Sequence, residues 1–236
     1  MRTQRFGELN ARITGGTDGL GGGDGPVVVL LHGFGAPGHD LVGLGPALPA
    51  PEGTRFVFPE APLELPMMGE ARAWWLIDME RMQRALMTGQ LRDLTQDVPE
   101  GLAEANTKVM GLLDAVQSDL DVTGDKLVLG GFSQGAMLSL DVALRSSRPL
   151  AGLIVMSGTL LAQPEWVPLM DQRKGLPVVQ THGAYDPILP FSIAEQLRDH
   201  LVAAGLDVQW LPFGGQHEIP RPALAAVGEM LAKTIA

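Results

Sequence analysis

Two rhythms of hydrophobic positions alternate along the chain. Short apolar runs read as strands: Val27–Leu31, Arg55–Phe58, Lys126–Gly131, Leu150–Gly158, Pro177–Gly183 and Asp207–Phe213. Their near-continuous hydrophobicity is that of strands buried on both faces. Between them, apolar residues recur at helical spacing. Leu102, Ala105, Val109, Leu112, Leu113, Val116 and Leu120 form one such stripe, and Met137, Leu140 and Leu144 the next. Leu197 and Leu201 mark a third, expected to open on a capping box at Ser192–Glu195 and to stop at Gly205; Leu224, Val227 and Leu231 mark the last. Strands alternating with helices predict right-handed βαβ units, hence an α/β fold with a mostly parallel central sheet flanked by helices. A further strand, near Glu8–Thr14, is expected to reach Val27–Leu31 through a hairpin. Its loop is Gly15–Gly25, where seven of eleven residues are glycine. The chain, residues 1–236, is read as a single domain with residues 15–25 as a glycine-rich loop.

Composition narrows the possible functions. No apolar run exceeds five residues, against about 20 for a membrane helix, so stable membrane insertion is not expected. Arg2 and Arg5 are not followed by an apolar stretch, so a secretory signal is not expected and the cytoplasm is the expected compartment. Lys and Arg total 17 against 27 acids, a net charge of −10. That balance argues against a nucleic-acid partner and makes anionic lipid surfaces unfavourable. The absence of cysteine excludes disulfides, thiolate-bound metals and thiol nucleophiles.

In a parallel sheet, sites form at the carboxyl ends of the strands. Gly131-Phe132-Ser133-Gln134-Gly135 follows one strand and precedes a helix. By composition alone, about 0.1 matches to G-x-S-x-G are expected in such a chain, so the context makes the pattern informative. It reads as a nucleophile elbow, with Ser133 at the tip and glycines where side chains would collide. The plainer reading is a strand–turn–helix with an incidental serine. A serine needs a base, and His32, His39, His182, His200 and His217 are the candidates. His217 stands in a loop after the sixth strand, and Asp186 in a loop after the fifth. The order Ser133, Asp186, His217 is the one this architecture requires. The oxyanion donors are expected at the backbone N–H groups of Gln134 and of Phe34, in the loop His32–Gly35; His32 itself reads as structural.

With those residues in view, LLHGFGAPG, FPEAP, AWW, GFSQGAM, THGAYDPILP and GGQHEIP occur in an order that resembles the phospholipase/carboxylesterase family, which includes the acyl-protein thioesterases. The resemblance runs from Val27 to Ile235. It implies an α/β-hydrolase without a large lid domain, acting on esters or thioesters with no cofactor and no metal. It places the family's serine, aspartate and histidine at Ser133, Asp186 and His217, and its oxyanion donors at Phe34 and Gln134. The glycine-rich stretch departs from the family pattern, as does Gln216 before the histidine. The expected activity is hydrolysis of short- to medium-chain carboxylic esters through an acyl-enzyme. The alternatives on the same residues are an acyl-protein thioesterase and a lysophospholipase.

Met67–Met87 holds five of the eleven methionines and two of the four tryptophans. Met68, Trp74 and Trp75 are candidate walls of an acyl groove, one indole turned inward and one toward the surface; ordinary helix packing is the alternative. Apolar surface near Trp74 would permit a homodimer, and a monomer is equally compatible with the sequence. Two rivals differ in class. Gly33–Gly38 matches G-x-G-x-x-G after a strand, with Glu60 as the ribose-binding acid of a dinucleotide-dependent oxidoreductase. A non-catalytic hydrolase-fold binding protein is the second.

Overall fold

The computed structural model describes residues 1–88 and 93–236. Residues 89–92, inside the Met79–Pro99 stretch where the family resemblance gives no alignment, lie outside the described residues. The strands are β1 (Arg2–Phe6), β2 (Leu9–Gly16), β3 (Leu20–Gly22), β4 (Val27–Leu31), β5 (Arg55–Pro59), β6 (Leu63–Glu64), β7 (Arg72–Ala73), β8 (Leu127–Phe132), β9 (Gly152–Met156), β10 (Pro177–Gly183) and β11 (Asp207–Phe213). The helices are α1 (Leu44–Ala47), α2 (Met79–Thr88), α3 (Leu102–Asp119), α4 (Gln134–Arg145), α5 (Gln163–Met170), α6 (Phe191–Ala203) and α7 (Arg221–Thr234).

The main sheet runs β1-β2-β5-β4-β8-β9-β10-β11, with β3 against β2. From β5 to β11 every neighbouring pair is parallel, while β2 is antiparallel to both β1 and β5. β4 is wholly buried because both of its faces are covered. Val27, Val29 and Leu31 pack in a cluster with α3, α4, α5 and α6; Val28 and Leu30 pack in a second with α7. That two-sided burial explains the unbroken VVVLL run. From β4 the chain steps to β5 on one side; from β8 it steps to β9 on the other. The carboxyl ends of β4 and β8 therefore flank the point where strand order reverses, and a crevice opens there. No helix among the described residues is long and apolar enough to cross a membrane.

The six strands from Val27 onward and the four helices that the sequence predicts all form. Two local expectations do not hold. β2 and β4 make no hairpin, since β5 lies between them. β2's hairpin partner is instead β1, across Gly7-Glu8, and β1 carries little apolar signal because it is an edge strand with one buried residue, Phe6. Ser192 makes no capping bond. Pro190 takes the N-cap position of α6, and its carbonyl accepts the Ile193 and Ala194 N–H groups.

The glycine-rich stretch is more ordered than a free loop. Gly15 and Gly16 end β2, and Leu20–Gly22 form β3. The Asp18 carboxylate accepts the N–H groups of Leu20 and Gly22, each at 2.8 Å. A Cβ on Gly21, whose φ is +86°, would lie 2.3 Å from the Ile13 side chain. Arg55, 1% exposed, reaches from β5 under this stretch. It donates to the carbonyls of Gly25 (2.8 Å), Gly23 (3.0 Å) and Leu120 (2.6 Å), the last at the end of α3. One buried guanidinium thus satisfies carbonyls from two segments that otherwise lack strand or helix partners. Arg55→Met leaves those oxygens unpaired and is expected to lower stability by about 3 kcal/mol, read from urea unfolding; a change within about 0.5 kcal/mol contradicts the role.

Candidate active site

Ser133 sits between β8 and α4 at φ +54°, ψ −117°. A non-glycine residue holds such a conformation only where its surroundings impose it. Here the imposing contact is steric. A Cβ on Gly131 would lie 2.5 Å from the Leu31 carbonyl oxygen, and one on Gly135 would lie 2.0 Å from it. The two glycines let the turn press against the end of β4. Backbone bonds then fix it: the Ser133 N–H donates to Met156 (2.9 Å), and the Ser133 carbonyl accepts from Met137 (3.1 Å).

Asp186 and His217 come from the loops after β10 and β11, which are joined by their backbones. Ala184 N–H donates to Phe213 (2.8 Å) and Tyr185 N–H to Gly215 (3.0 Å). Gly183 is essential to this approach, since a Cβ there would lie 2.1 Å from the Gln216 carbonyl oxygen. The loops place His217 Nδ1 2.6 Å from Asp186 Oδ2. Asp186 Oδ1 accepts the N–H groups of Ile188 (2.8 Å) and Leu189 (2.9 Å). Burial pushes the Asp186 carboxyl up, but the His217 bond and charge, with the Leu189 and Ile188 N–H groups, hold it below the usual value. An ionised Asp186 accepts the Nδ1 hydrogen, leaving His217 Nε2 as the proton-accepting nitrogen. The Phe132 ring lies against His217, with ring centroids 4.8 Å apart.

Ser133 and His217 line one cavity of about 590 Å³, together with Gly33, Phe34 and Gln134. Neither the Phe34 nor the Gln134 backbone N–H is engaged by another described residue. Gly35, at φ +78°, donates its own N–H to Arg72 (2.8 Å) and turns the loop. His32 is structural. Its Nε2 accepts the Ala61 N–H (3.1 Å), so its Nδ1 carries the hydrogen donated to Gly33 (2.8 Å). Burial lowers its pKa and keeps it neutral. His39 is exposed on the surface, and His200 on α6 bonds Gln163 (3.2 Å).

The rest of the cavity wall is mainly apolar: Trp75, Leu76, Ile77, Met82, Leu94, Val98, Met137, Leu161, Ile188 and Leu189. Trp75 lines it as expected; Trp74 and Met68 do not. Trp74 is buried behind the loop, its indole N–H donating to the His32 carbonyl (2.9 Å), so neither indole faces the surface. No apolar surface for a dimer exists at Trp74 itself. Met68 is 52% exposed and overlies Gly35. Met67, Met79 and Met87 do not line this cavity either, the first and last being 98% and 80% exposed, which leaves Met82 alone among the five methionines on the wall. Helical period does not reveal this, because α2 turns most of its described residues to solvent.

Sequence reasoning also missed the Gln134 side chain. It is buried, accepts the Trp74 N–H (2.9 Å) and donates to the Trp75 carbonyl (2.8 Å). The residue after Ser133 thereby ties the elbow to the cavity wall. The dinucleotide reading fails on the same ground of geometry. A short 3₁₀ turn (Asp40–Gly43) and the four-residue α1 follow Gly33–Gly38, with no long helix, and Glu60 is paired with Arg12 (2.8 Å).

Known proteins bear on the arrangement. A model of the phospholipase/carboxylesterase family matches residues 23–235. Acyl-protein thioesterase 1 of Neurospora crassa is 30% identical over 128 residues, so the match spans about half of each chain (52%). Acyl-protein thioesterase 1 of Cryptococcus neoformans is 28% identical over 180 residues, 74% of this chain and 72% of the relative. The crystal structure of esterase PE8 superposes with a TM-score of 0.77 at 26% identity, covering 96% of this chain and 99% of that one. The Bacillus cereus carboxylesterase shares the fold, with a TM-score of 0.70 at 16% identity over 96% of this chain and 94% of that one.

The buried histidines make stability depend on pH. Burial depresses the pKa of His32 and of His182 below the ordinary 6.5. Unfolded, both protonate near ~6.5. Below that pH the unfolded chain binds more protons than the folded one, so stability is full above ~6.5 and falls as pH drops toward the folded-state values. The loss reaches up to about 1.4 kcal/mol per histidine per pH unit. The urea midpoint is expected to be lower at about pH 5.5 than at about pH 7.5; equal midpoints contradict two buried neutral imidazoles.

Proposed function

The chain belongs to the phospholipase/carboxylesterase family and is a serine hydrolase of the α/β-hydrolase kind, and on that premise we propose that it hydrolyses short- to medium-chain carboxylic esters with uncharged acyl groups, using Ser133, His217 and Asp186. The 2.6 Å bond from His217 Nδ1 to Asp186, with His217 and Ser133 on one largely apolar cavity, carries the proposal. His217 Nε2 removes the Ser133 hydroxyl proton as the oxygen attacks the ester carbonyl. Asp186 fixes the imidazole tautomer and stabilises the imidazolium. The Phe34 and Gln134 N–H groups meet the oxyanion, each contributing about 3 kcal/mol. His217 protonates the departing alcohol, water attacks the acyl-enzyme, and Ser133 leaves with the returned proton.

The cavity wall supports the acyl class. Its charged side chains are Asp40, Asp78, Asp97 and Arg81, and Arg81 is held by Asp97 at 2.6 Å. That balance disfavours anionic acyl groups, while a volume of about 590 Å³ suits a medium chain. A second reading is favoured by the relatives named acyl-protein thioesterase 1. There the same steps would expel a thiol.

A fluorophosphonate probe is expected to label Ser133 stoichiometrically; folded protein that stays unlabelled overturns the assignment. Asp186→Asn is expected to reduce turnover by about 10³- to 10⁴-fold with the fold intact, by circular dichroism; near-normal turnover assigns the acid elsewhere. In a panel of p-nitrophenyl esters of rising chain length, beside a long-chain acyl thioester and a lysophospholipid, kcat/KM is expected to peak at short to medium chains. A p-nitrophenyl ester with a terminal carboxylate is expected to react more slowly than its neutral counterpart, the gap narrowing with salt. A thioester that outruns every oxygen ester selects the second reading.

A further inference from the structure

We propose that His182 is a positioning residue of the catalytic unit, its Nε2–H bracing the Asp186 turn from behind and sharing Asp186 Oδ2 with His217. The proposal rests on the assignment of Ser133, His217 and Asp186 above. His182 lies near the end of β10, four residues before Asp186, and is wholly buried. Its Nε2 is 2.9 Å from the Leu189 carbonyl oxygen, which can only accept, so Nε2 carries the hydrogen. The same nitrogen lies 3.4 Å from Asp186 Oδ2, the oxygen that His217 meets at 2.6 Å. The turn is thus gripped at both polar groups of Leu189: Asp186 Oδ1 takes its N–H, and His182 takes its carbonyl.

The other ring nitrogen shows why packing alone does not explain an imidazole here. His182 Nδ1 is buried without a well-formed hydrogen bond, and the Gly158 backbone beside the ring favours its protonated form less than burial disfavours it. A leucine or methionine would fill the space without desolvating that atom, so the Nε2–H is what the position uses. Neutrality matters as well. A protonated His182 would set a cation beside Oδ2 and weaken its hold on the His217 imidazolium. Burial keeps His182 neutral, and among the groups packed around it from the neighbouring strands, α6 and the loops, Asp186 and His217 carry the charges that act on it. Phe191 supplies an apolar wall, with ring centroids 6.3 Å apart.

The test compares His182→Leu with His182→Gln on p-nitrophenyl butyrate. The leucine variant is expected to lose about 10- to 100-fold in kcat with little change in KM. The acidic limb of its kcat/KM profile is expected to move to higher pH, because Oδ2 then answers to His217 alone. Glutamine returns an N–H to about the same place and is expected to restore both readouts most of the way. A leucine variant with wild-type kcat and an unmoved limb overturns the proposal, as does a glutamine variant as impaired as leucine. If the leucine variant does not fold, nitrogen-15 spectra of the wild-type histidines decide: a neutral Nε2–H tautomer for His182 across about pH 5.5 to 9 is expected. An Nδ1–H tautomer, or titration in that range, overturns the proposal. Wild-type protein that resists the fluorophosphonate probe removes the catalytic assignment itself. Wild-type protein that is labelled, with an unaltered leucine variant, removes only the role of His182.

Discussion

The Leu31 carbonyl is the point on which the site is built. It ends β4, and the turn carrying Ser133 closes down on it through two residues that lack a Cβ. This contact forces Ser133 into positive φ and lifts its side chain into the crevice. It also brings the start of α4, with its unpaired N–H groups, beside the loop that follows β4. The proposed nucleophile and both oxyanion donors therefore depend on one close approach between adjacent strands. A methyl group at Gly135 would separate all three.

From this contact a chain of buried polar bonds extends outward. Gln134 holds the backbone of Trp74 and Trp75, Trp74 holds the His32 carbonyl, and His32 holds Gly33 and Ala61. Each member is neutral, so the network fixes geometry without placing charge beside the serine. Across the crevice from this network, Asp186 is kept ionised against His217. In a low-dielectric setting, an oriented dipole and a single paired carboxylate act more strongly than they would in water.

What could be read in the sequence followed from how tightly physics restricts it. β4, β5, β8 and β9 were legible because two-sided burial demands unbroken apolar runs, and β11, half-buried at the sheet edge, from Val208, Trp210, Leu211 and Phe213. The elbow was legible because its sterics admit little but glycine beside Ser133. Asp186 and His217 were legible as polar residues at strand ends in the right order. β1 was not, since an edge strand is held by backbone bonds that leave no apolar pattern. The pairing of β2 was not, because alternation reports a face and not a neighbour. Met68 and Trp74 were misplaced for a related reason: hydrophobicity says that a residue prefers cover, not which surface supplies it. The Gln134 side chain meets Trp74 and Trp75, far from it in sequence, and only folding brings them within reach; the partners of His182 lie within seven residues, but no pattern along the chain tells which way its ring turns.

The Trp74–Trp75 side of the cavity wall is tied to the turn carrying Ser133 by the pair of bonds between Gln134 and the backbone of those two residues. Those bonds use main-chain atoms on the wall side, so they do not depend on which side chains follow. Leu76 and Val98, also on the wall, are largely exposed. This side of the wall is thus held by its backbone and free to vary in its side chains. Natural drift, or a library built over Leu76, Met82 and Val98, can reshape the cavity while the bonds at Trp74 and Trp75 keep its wall in register with the turn that carries Ser133.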